Sequence, residues 1–252
     1  MGQEPPREPH RMPSQLQGLL TALAGPLDEY CSVDVSQLHS VEPVPANAYS
    51  SVIGAAPFSG TIAAGSAGAD PRAGLQTRRA ELMTVALALQ ALREGGRMAL
   101  VVPESVLDGM TRAHQTLRRR LVEENTLHAV IRLRAGLYKP RTRAALLVAA
   151  RGGHTSTVWF CELGSSRQVA ELAVDWPKRG AAAPAATGAP ASFFVRREAI
   201  QPPQYRLGID HYRCAHPQDS QQPKPHEILH EIAGLEAEIL QGIRDLVGLL
   251  KG

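Results

Sequence analysis

The chain has 252 residues, 44% of them hydrophobic and 20% charged, a formal net charge of +3 and three cysteines. That content buries one good core and fits one domain with appendages, while no apolar run approaches the roughly 18 to 20 residues of a membrane span and the start MGQEPPREPHRMPS lacks the apolar core of a signal peptide; a cytoplasmic protein is expected. Cys31, Cys161 and Cys214 are odd in number, far apart and without a Cys-x-x-Cys pair, so neither a disulfide framework nor a cysteine zinc site is indicated, and the mild basic lean favours polyanions without identifying a nucleic-acid binder.

Residues 1–13 are proline-rich with no apolar period and read as a loose leader. LQGLLTALAGPL (16–27) has the spacing of a short helix ended at Gly25-Pro26, CSVDVSQL (31–38) reads as a strand, and YSSVIGAA (49–56) as a second. After a glycine-rich loop, Leu82, Val85, Ala86, Leu89 and Leu92 recur at helical spacing, Gly95-Gly96 is expected to stop that helix, and RMALVVPESVL is a buried strand. Thr111 to Glu124 predicts a helix, 127–133 a strand, and 143–150 and 157–163 two more that are expected to pair as an antiparallel hairpin. Strands alternating with helices predict an α/β domain over 14–163 with a mainly parallel sheet. Residues 164–225 read as an irregular extension carrying the Ala/Pro-rich insertion GAAAPAATGAPA (180–191) and the polar linker HPQDSQQPKP (216–225), and 226–252 as an amphipathic C-terminal helix.

The second strand runs into Ala55-Ala56-Pro57-Phe58, and in open α/β sheets ligands bind at the carboxyl ends of strands. VIGAAPFSG, then EGGRMALVVPESVL, then RRRLVEENTLHAVIRLRAGLYKPRTRAALLVA resembles the DNA N6-adenine methyltransferases, and most of all the modification (M) subunit of type I restriction-modification systems. The resemblance runs in the family's order from about Asp34, through VWFCEL, SFFVRREAI and YRLGIDHYR, into PHEILHEIAGLEAEIL. It implies a partial Rossmann-like methyltransferase sheet with a C-terminal helical extension, S-adenosylmethionine as methyl donor, and DNA and a specificity-type subunit as partners.

In that family the turn reads Asn-Pro-Pro-Phe or Asn-Pro-Pro-Tyr. The adenine N6 amino group is a poor nucleophile, and the resemblance implies that the Asn side-chain oxygen and the next carbonyl accept its hydrogens while the aromatic ring stacks on the flipped-out base. Here Phe58, Pro57 and the Ala56 carbonyl remain, but Ala55 has no side-chain acceptor. Loss of one such partner costs about 10² to 10³ in rate, so a degenerate turn and an isolated chain inactive as an enzyme, a pseudoenzyme, are expected. The donor poses a second difficulty. Similar enzymes bind it with a Gly-rich loop upstream of this turn, whereas residues 1–54 hold only Gly2, Gly18, Gly25 and Gly54. The missing loop argues against donor binding; Asp34 matches the family's acidic position near the donor adenine, and its alternative reading is an ordinary strand-end turn residue.

Ten basic residues between Arg112 and Arg151 stand against Glu123 and Glu124. Within them RLRAGLYKPRTR offers Arg134, Tyr138, Lys139, Arg141 and Arg143 as phosphate contacts, and Arg118, Arg119 and Arg120 are either further DNA contacts or a solvated helix face. His226-Glu227-Ile228-Leu229-His230 spells the zinc-protease pattern, but Ile228 belongs to an apolar stripe and no later histidine follows, so a charged helix start is expected and no metal. That stripe, Ile228, Ile232, Leu235, Ile239, Ile243 and Leu246, either closes over the chain's own sheet or, as the resemblance implies, docks a specificity-type subunit. The expected function is a truncated, degenerate N6-adenine methyltransferase-like protein working through DNA contact and assembly. The alternative is an active adenine-specific DNA methyltransferase subunit whose donor-binding part another chain supplies.

Overall fold

The runs VVP, AVIRL and AALLVAA are rich in branched and small apolar residues, and such runs become strands buried on both faces. In the computed structural model, which describes residues 13–25, 30–32, 45–62, 75–176 and 192–213, they lie at the centre of a seven-stranded sheet. The strands are β1 (Tyr30–Ser32), β2 (Tyr49–Ala55), β3 (Leu92–Pro103), β4 (Asn125–Leu133), β5 (Ala144–Arg151), β6 (Thr157–Leu163) and β7 (Ser192–Arg196). Their order is β1-β2-β3-β5-β4-β6-β7. The helices are α1 (Ser14–Ala24), α2 (Ala80–Ala91), α3 (Ser105–Asp108), α4 (Arg112–Glu123), α5 (Ser166–Asp175) and α6 (Ile209–Arg213). Chain contacts divide the protein at His211 into two units, and the fold described here is that of the first.

Helices cover both faces. Leu16, Leu19, Leu20 and Leu23 of α1 and Val169 and Leu172 of α5 pack on Ile53, Val101, Ile131, Leu146, Val148 and Trp159, which share one face of the sheet. On β3, β4 and β5 every second residue reaches that cluster, the period of two expected of a pleated strand. α2 and α4 pack against β3 and β4 respectively, and α2 is buried along nearly its whole length. β5, with Ala144 to Ala150 all buried, lies at the centre of a sheet covered on both faces, which explains its uninterrupted apolar sequence.

Three expectations need correction. Gly95-Gly96 does not end α2: the helix hands over directly to β3 at Leu92, whose φ of −66° and ψ of 139° are extended. The glycines instead form a bulge, where β3 advances from Leu92 to Arg97 while β2 advances only from Tyr49 to Ser51. Gly95 takes φ +75°, and a Cβ on Gly96 would sit 2.9 to 3.1 Å from the carbonyl oxygens of Arg93, Tyr49 and Ser50. Second, β5 and β6 do not pair. β5 inserts antiparallel between β3 and β4, β6 lies parallel to β4, and the antiparallel partner of β6 is β7. Third, the extension after Leu163 is not irregular throughout. Ser165 caps α5 by accepting from the Gln168 N–H, and Phe193 of β7 stacks on Phe160 with ring centroids 5.7 Å apart.

Two further groups fix the frame. Arg151 donates from one nitrogen to the carbonyls of Leu89, Gln90 and Leu92, at 3.1, 2.6 and 2.8 Å, a cation placed where the end of α2 leaves its carbonyls unpaired. His114 is buried, with Nδ1 2.6 Å from the Thr111 hydroxyl and its ring against the Cα of Gly109. Burial, then Arg118 and Arg79, hold its pKa below the usual imidazole range, and burial and Arg97 do the same to His128. Both imidazoles bind a proton less readily folded than unfolded. Stability is therefore full above the unfolded histidine pKa of about 6.5 and is lost progressively below it, as pH falls through the lowered folded values. The urea midpoint should drop between pH 7.5 and 5.5, and His114→Gln with His128→Gln should flatten that drop; an unchanged drop in the double variant would assign it to other groups.

No helix among the described residues is long and apolar enough to cross a membrane. No group of three or more His, Cys, Asp or Glu among them could hold a metal ion.

Candidate nucleic-acid interface at the carboxyl edge of the sheet

β1, β2, β3, β4 and β6 run in one direction, so Ala55, Pro103, Leu133 and Leu163 end at the same edge. Two segments meet there. One is the turn after β2, the other the loop 134–143 that joins β4 to β5.

The turn is tied at both ends. The Ala56 N–H donates to the Val101 carbonyl at 2.8 Å, carrying the β2–β3 ladder one residue beyond the strand, and Ala56 is buried. The Ala80 N–H donates to the Gly60 carbonyl at 3.1 Å and the Ile62 N–H to the Arg78 carbonyl at 2.8 Å, which brings the chain back along the start of α2. Between these ties Phe58 is half-buried, and it packs with Ala55, Leu137 and Tyr138 against the cluster beneath α1 and α5. Its ring stacks on Tyr138, centroids 5.2 Å apart and planes inclined by 21°. The Lys139 ammonium lies 5.2 Å from the Tyr138 centroid and 5.8 Å from that of Phe58, within cation–π range of both. Burial pushes the Tyr138 phenol pKa upward, so the ring stays neutral at physiological pH.

The loop is held by its own turns. Gly136 N–H donates to the Lys139 carbonyl, Leu137 N–H to Arg134 and Thr142 N–H to Lys139, at 3.2, 3.2 and 3.3 Å. Gly136 has φ +97° and Arg141 φ +57°, left-handed positions that turn the chain back toward β5.

The structure sorts the basic residues by what already neutralises them. Arg118 is fully buried and cannot meet a phosphate, so that expectation is corrected: its guanidinium donates to the carbonyls of Val106, Gly109 and Gln204 inside the protein. Arg119 pairs with Glu124 at 3.0 Å and Arg120 with the same carboxylate at 3.3 Å, the solvated-face arrangement. Arg134 is bound to Glu162 at 2.5 Å. Lys139, Arg141 and Arg143 make no ion pair among the described residues, and these three cations stand on the loop that carries Tyr138.

Sequence reasoning missed the cluster behind this loop. Arg132 binds Glu104 at 2.9 Å and Asp210 at 2.6 and 2.7 Å, and reaches Glu162 at 4.0 Å. Arg132 and Glu162 are register partners on the parallel pair β4 and β6. That adjacency follows from strand order, which the sequence does not display. Asp34, the His226-to-His230 pattern and the terminal stripe from Ile228 to Leu246 lie outside the described residues.

Upstream of β2 the described residues form one helix and one three-residue strand, and the glycine there with positive φ, Gly25, ends the helix α1 rather than a strand.

Comparison with known proteins places this edge in context. The model of the N-6 DNA Methylase family matches residues 36–173. The chain is 33% identical over 108 residues to the type I restriction enzyme EcoEI methylase subunit of Escherichia coli, covering 42% of this chain and 22% of that protein. It is similar in fold to a chain of a type I restriction-modification complex, with TM-score 0.54, 24% identity and coverage of 81% of this chain and 46% of the other. It is similar likewise to the type I methyltransferase subunit from Streptococcus thermophilus, with TM-score 0.53, 19% identity and coverage of 69% and 40%. The chain thus spans about a fifth of the curated relative's length and less than half of either solved chain. With the family model covering more than half of its residues, and the turn after β2 and the loop 134–143 both inside the matched span, the chain belongs to the N-6 DNA methylase family.

Proposed function

We propose that the chain is the target-base side of a type I modification-subunit-like N6-adenine methyltransferase, that its catalytic turn is degenerate, and that it works through DNA contact and subunit assembly. The observation that carries this is the turn at the carboxyl end of β2: Phe58 is held for stacking and the Ala56 backbone is fixed to β3, while position 55 offers only a methyl group. A flipped adenine at Phe58 would find one backbone acceptor for its amino group and no side-chain acceptor, so the nitrogen gains little of the electron density it needs. Lys139, Arg141 and Arg143 would hold the flanking phosphates, fixing position without reading sequence.

Two expected results test this reading. With short duplex DNA, replacing Lys139, Arg141 and Arg143 together by Ala should weaken binding and make the slope of log K against log salt shallower by about 2 to 3, near 0.9 per phosphate contact. An unchanged slope would remove the loop from the interface. Titration of the purified chain with S-adenosylmethionine in a calorimeter should give no saturable heat, since the described residues offer the donor no glycine turn.

A second reading is supported by the intact Pro57 and Phe58: an adenine-specific methyltransferase subunit active once another polypeptide supplies the donor-binding part. Under either reading the relatives' membership of type I restriction-modification systems supports a specificity-type partner, for which Ile228, Ile232, Leu235, Ile239, Ile243 and Leu246 are the proposed docking residues. Removing the chain beyond Pro223 should then abolish co-purification with such a subunit.

A further inference from the structure

We propose that the cavity between the entry to α2 and the first turn of α4 binds a phosphate of the DNA backbone, with Arg112 as its cation and Gln76 and Thr116 as its neutral donors. This rests on the reading of the chain as a DNA-contacting protein and adds a contact outside loop 134–143. Leu75, Gln76, Arg112, Ala113 and Thr116 line a space of about 260 Å³, and none of them is a carboxylate. That volume is below the roughly 300 to 1,000 Å³ of sites that enclose a drug-sized ligand, so it suits one phosphate group better than a whole nucleotide. The side chains of Arg112, Gln76 and Thr116 make no hydrogen bond or ion pair among the described residues.

The other arginines of α4 already have partners. Arg118 donates to buried carbonyls, and Arg119 and Arg120 share the Glu124 carboxylate. Arg112 stands exposed at the opposite end of that helix. A lone exposed cation is ordinary, but one that lines a cavity with two further donors and no acid favours an anion. The guanidinium fork matches two phosphate oxygens, and the Thr116 hydroxyl and Gln76 amide can donate to the others. Position favours the DNA backbone as the source. The chain leaves the Phe58 turn through Gly60 to Ile62, which is bonded to Arg78 and Ala80, so the entry to α2 lies beside that turn. Arg78, close to Gln76 in the chain, also has no ion pair among the described residues; its Nε donates to the Ile62 carbonyl at 3.0 Å. Phe58 and Tyr138 pack on the cluster beneath α1 and α5, whereas the cavity lies between α2 and α4. A duplex held at Lys139, Arg141 and Arg143 would thus meet a second cation across the turn.

The test is equilibrium binding of the full chain to a fluorescently labelled duplex over a series of salt concentrations, beside a phosphorus NMR titration with inorganic phosphate. Arg112→Ala should weaken binding to duplexes of any sequence and make the slope of log K against log salt shallower by about 0.9, one phosphate contact. Arg112→Lys, which keeps the charge, should keep the slope. Thr116→Val removes a donor but no charge, and should weaken binding roughly 3- to 10-fold with the slope unchanged. Arg119→Ala removes a cation that is already paired and should leave the slope as it is, which separates a contact from a change in net charge. Arg112→Gln guards against misfolding of one variant, and circular dichroism checks each. No change of slope in Arg112→Ala and Arg112→Gln, or the same change in Arg119→Ala, overturns the cavity site; a shallower slope on replacing Lys139, Arg141 and Arg143 would still leave the DNA-contact reading standing. Inorganic phosphate that saturates the wild type but not Arg112→Ala, with the duplex slope unmoved, assigns the cavity to a free anion and overturns the DNA source. If wild-type binding to the duplex shows no salt dependence, the DNA-contact reading falls and the site with it.

Discussion

Replacing Arg118 by alanine should lower the unfolding free energy by about 4 kcal/mol, the value expected when several hydrogen bonds to one buried charged group are lost together. Among the bonds of the guanidinium, Nε and one terminal nitrogen donate to the Gln204 carbonyl at 3.0 and 2.8 Å, the same nitrogen to Gly109 at 2.9 Å, and the other to Val106 at 3.1 Å. Alanine leaves these carbonyls without that donor and a cavity where the side chain lay. The damage also spreads along the chain. Gln204 is followed by Tyr205, whose hydroxyl donates to Glu123 at 2.5 Å, and by Leu207, whose N–H donates to the Leu107 carbonyl at 3.1 Å. Arg118 thus fastens the segment 204–208 to α3 and α4. Arg118→Lys should recover only a minor part, because one ammonium cannot reproduce the planar fork that reaches three carbonyls. Urea unfolding followed by circular dichroism measures both variants; a loss below about 1 kcal/mol for Arg118→Ala would mean that the fork is not what holds this segment.

Ala55→Asn should raise N6-adenine methylation by about 10² to 10³ in a complex whose donor-binding part is supplied by a related modification subunit, since it restores one preorganised acceptor. Ala55 is the last residue of β2 and is half-buried at the rim of the core, beside Phe58. The Ala56 carbonyl would still supply the second acceptor. Methyl incorporation into an unmethylated duplex reports the result. A gain supports a site that decayed at one residue; no gain, with DNA binding retained, means that the surroundings of the turn no longer hold a base in reacting position.

Much of the α/β frame can be read from the chain because each central strand carries its own signal. The run AALLVAA is apolar without interruption and is buried without interruption. Strand order cannot be read that way. Nothing in the residues of β5 and β6 states that β5 lies between β3 and β4, since this depends on which edges remain open once the helices have covered the faces. The family's turn was legible at Ala55 to Phe58, but its contact with Tyr138 joins residues 80 positions apart in the chain and exists only in the folded sheet. Arg118 was legible and was missed: on α4 the buried positions are His114, Leu117, Arg118, Leu121 and Val122, a spacing of three and four that puts Arg118 on the inner face and Arg119 outside it. The charge of the residue concealed a position that its periodicity disclosed.

β4 and β5 pair antiparallel from Asn125↔Arg151 to Leu133↔Ala144, neighbours in both sequence and space, whereas β2 and β3 meet only after a long crossover. Local pairings of this sort close in microseconds, and a crossover must first surrender far more chain entropy. The hairpin is therefore expected to assemble ahead of the rest, with loop 134–143 as its turn. Lys139, Arg141 and Tyr138 would then be in place before β2 delivers Phe58 to the edge, and a residue changed in this loop would register in the folding rate as well as in binding.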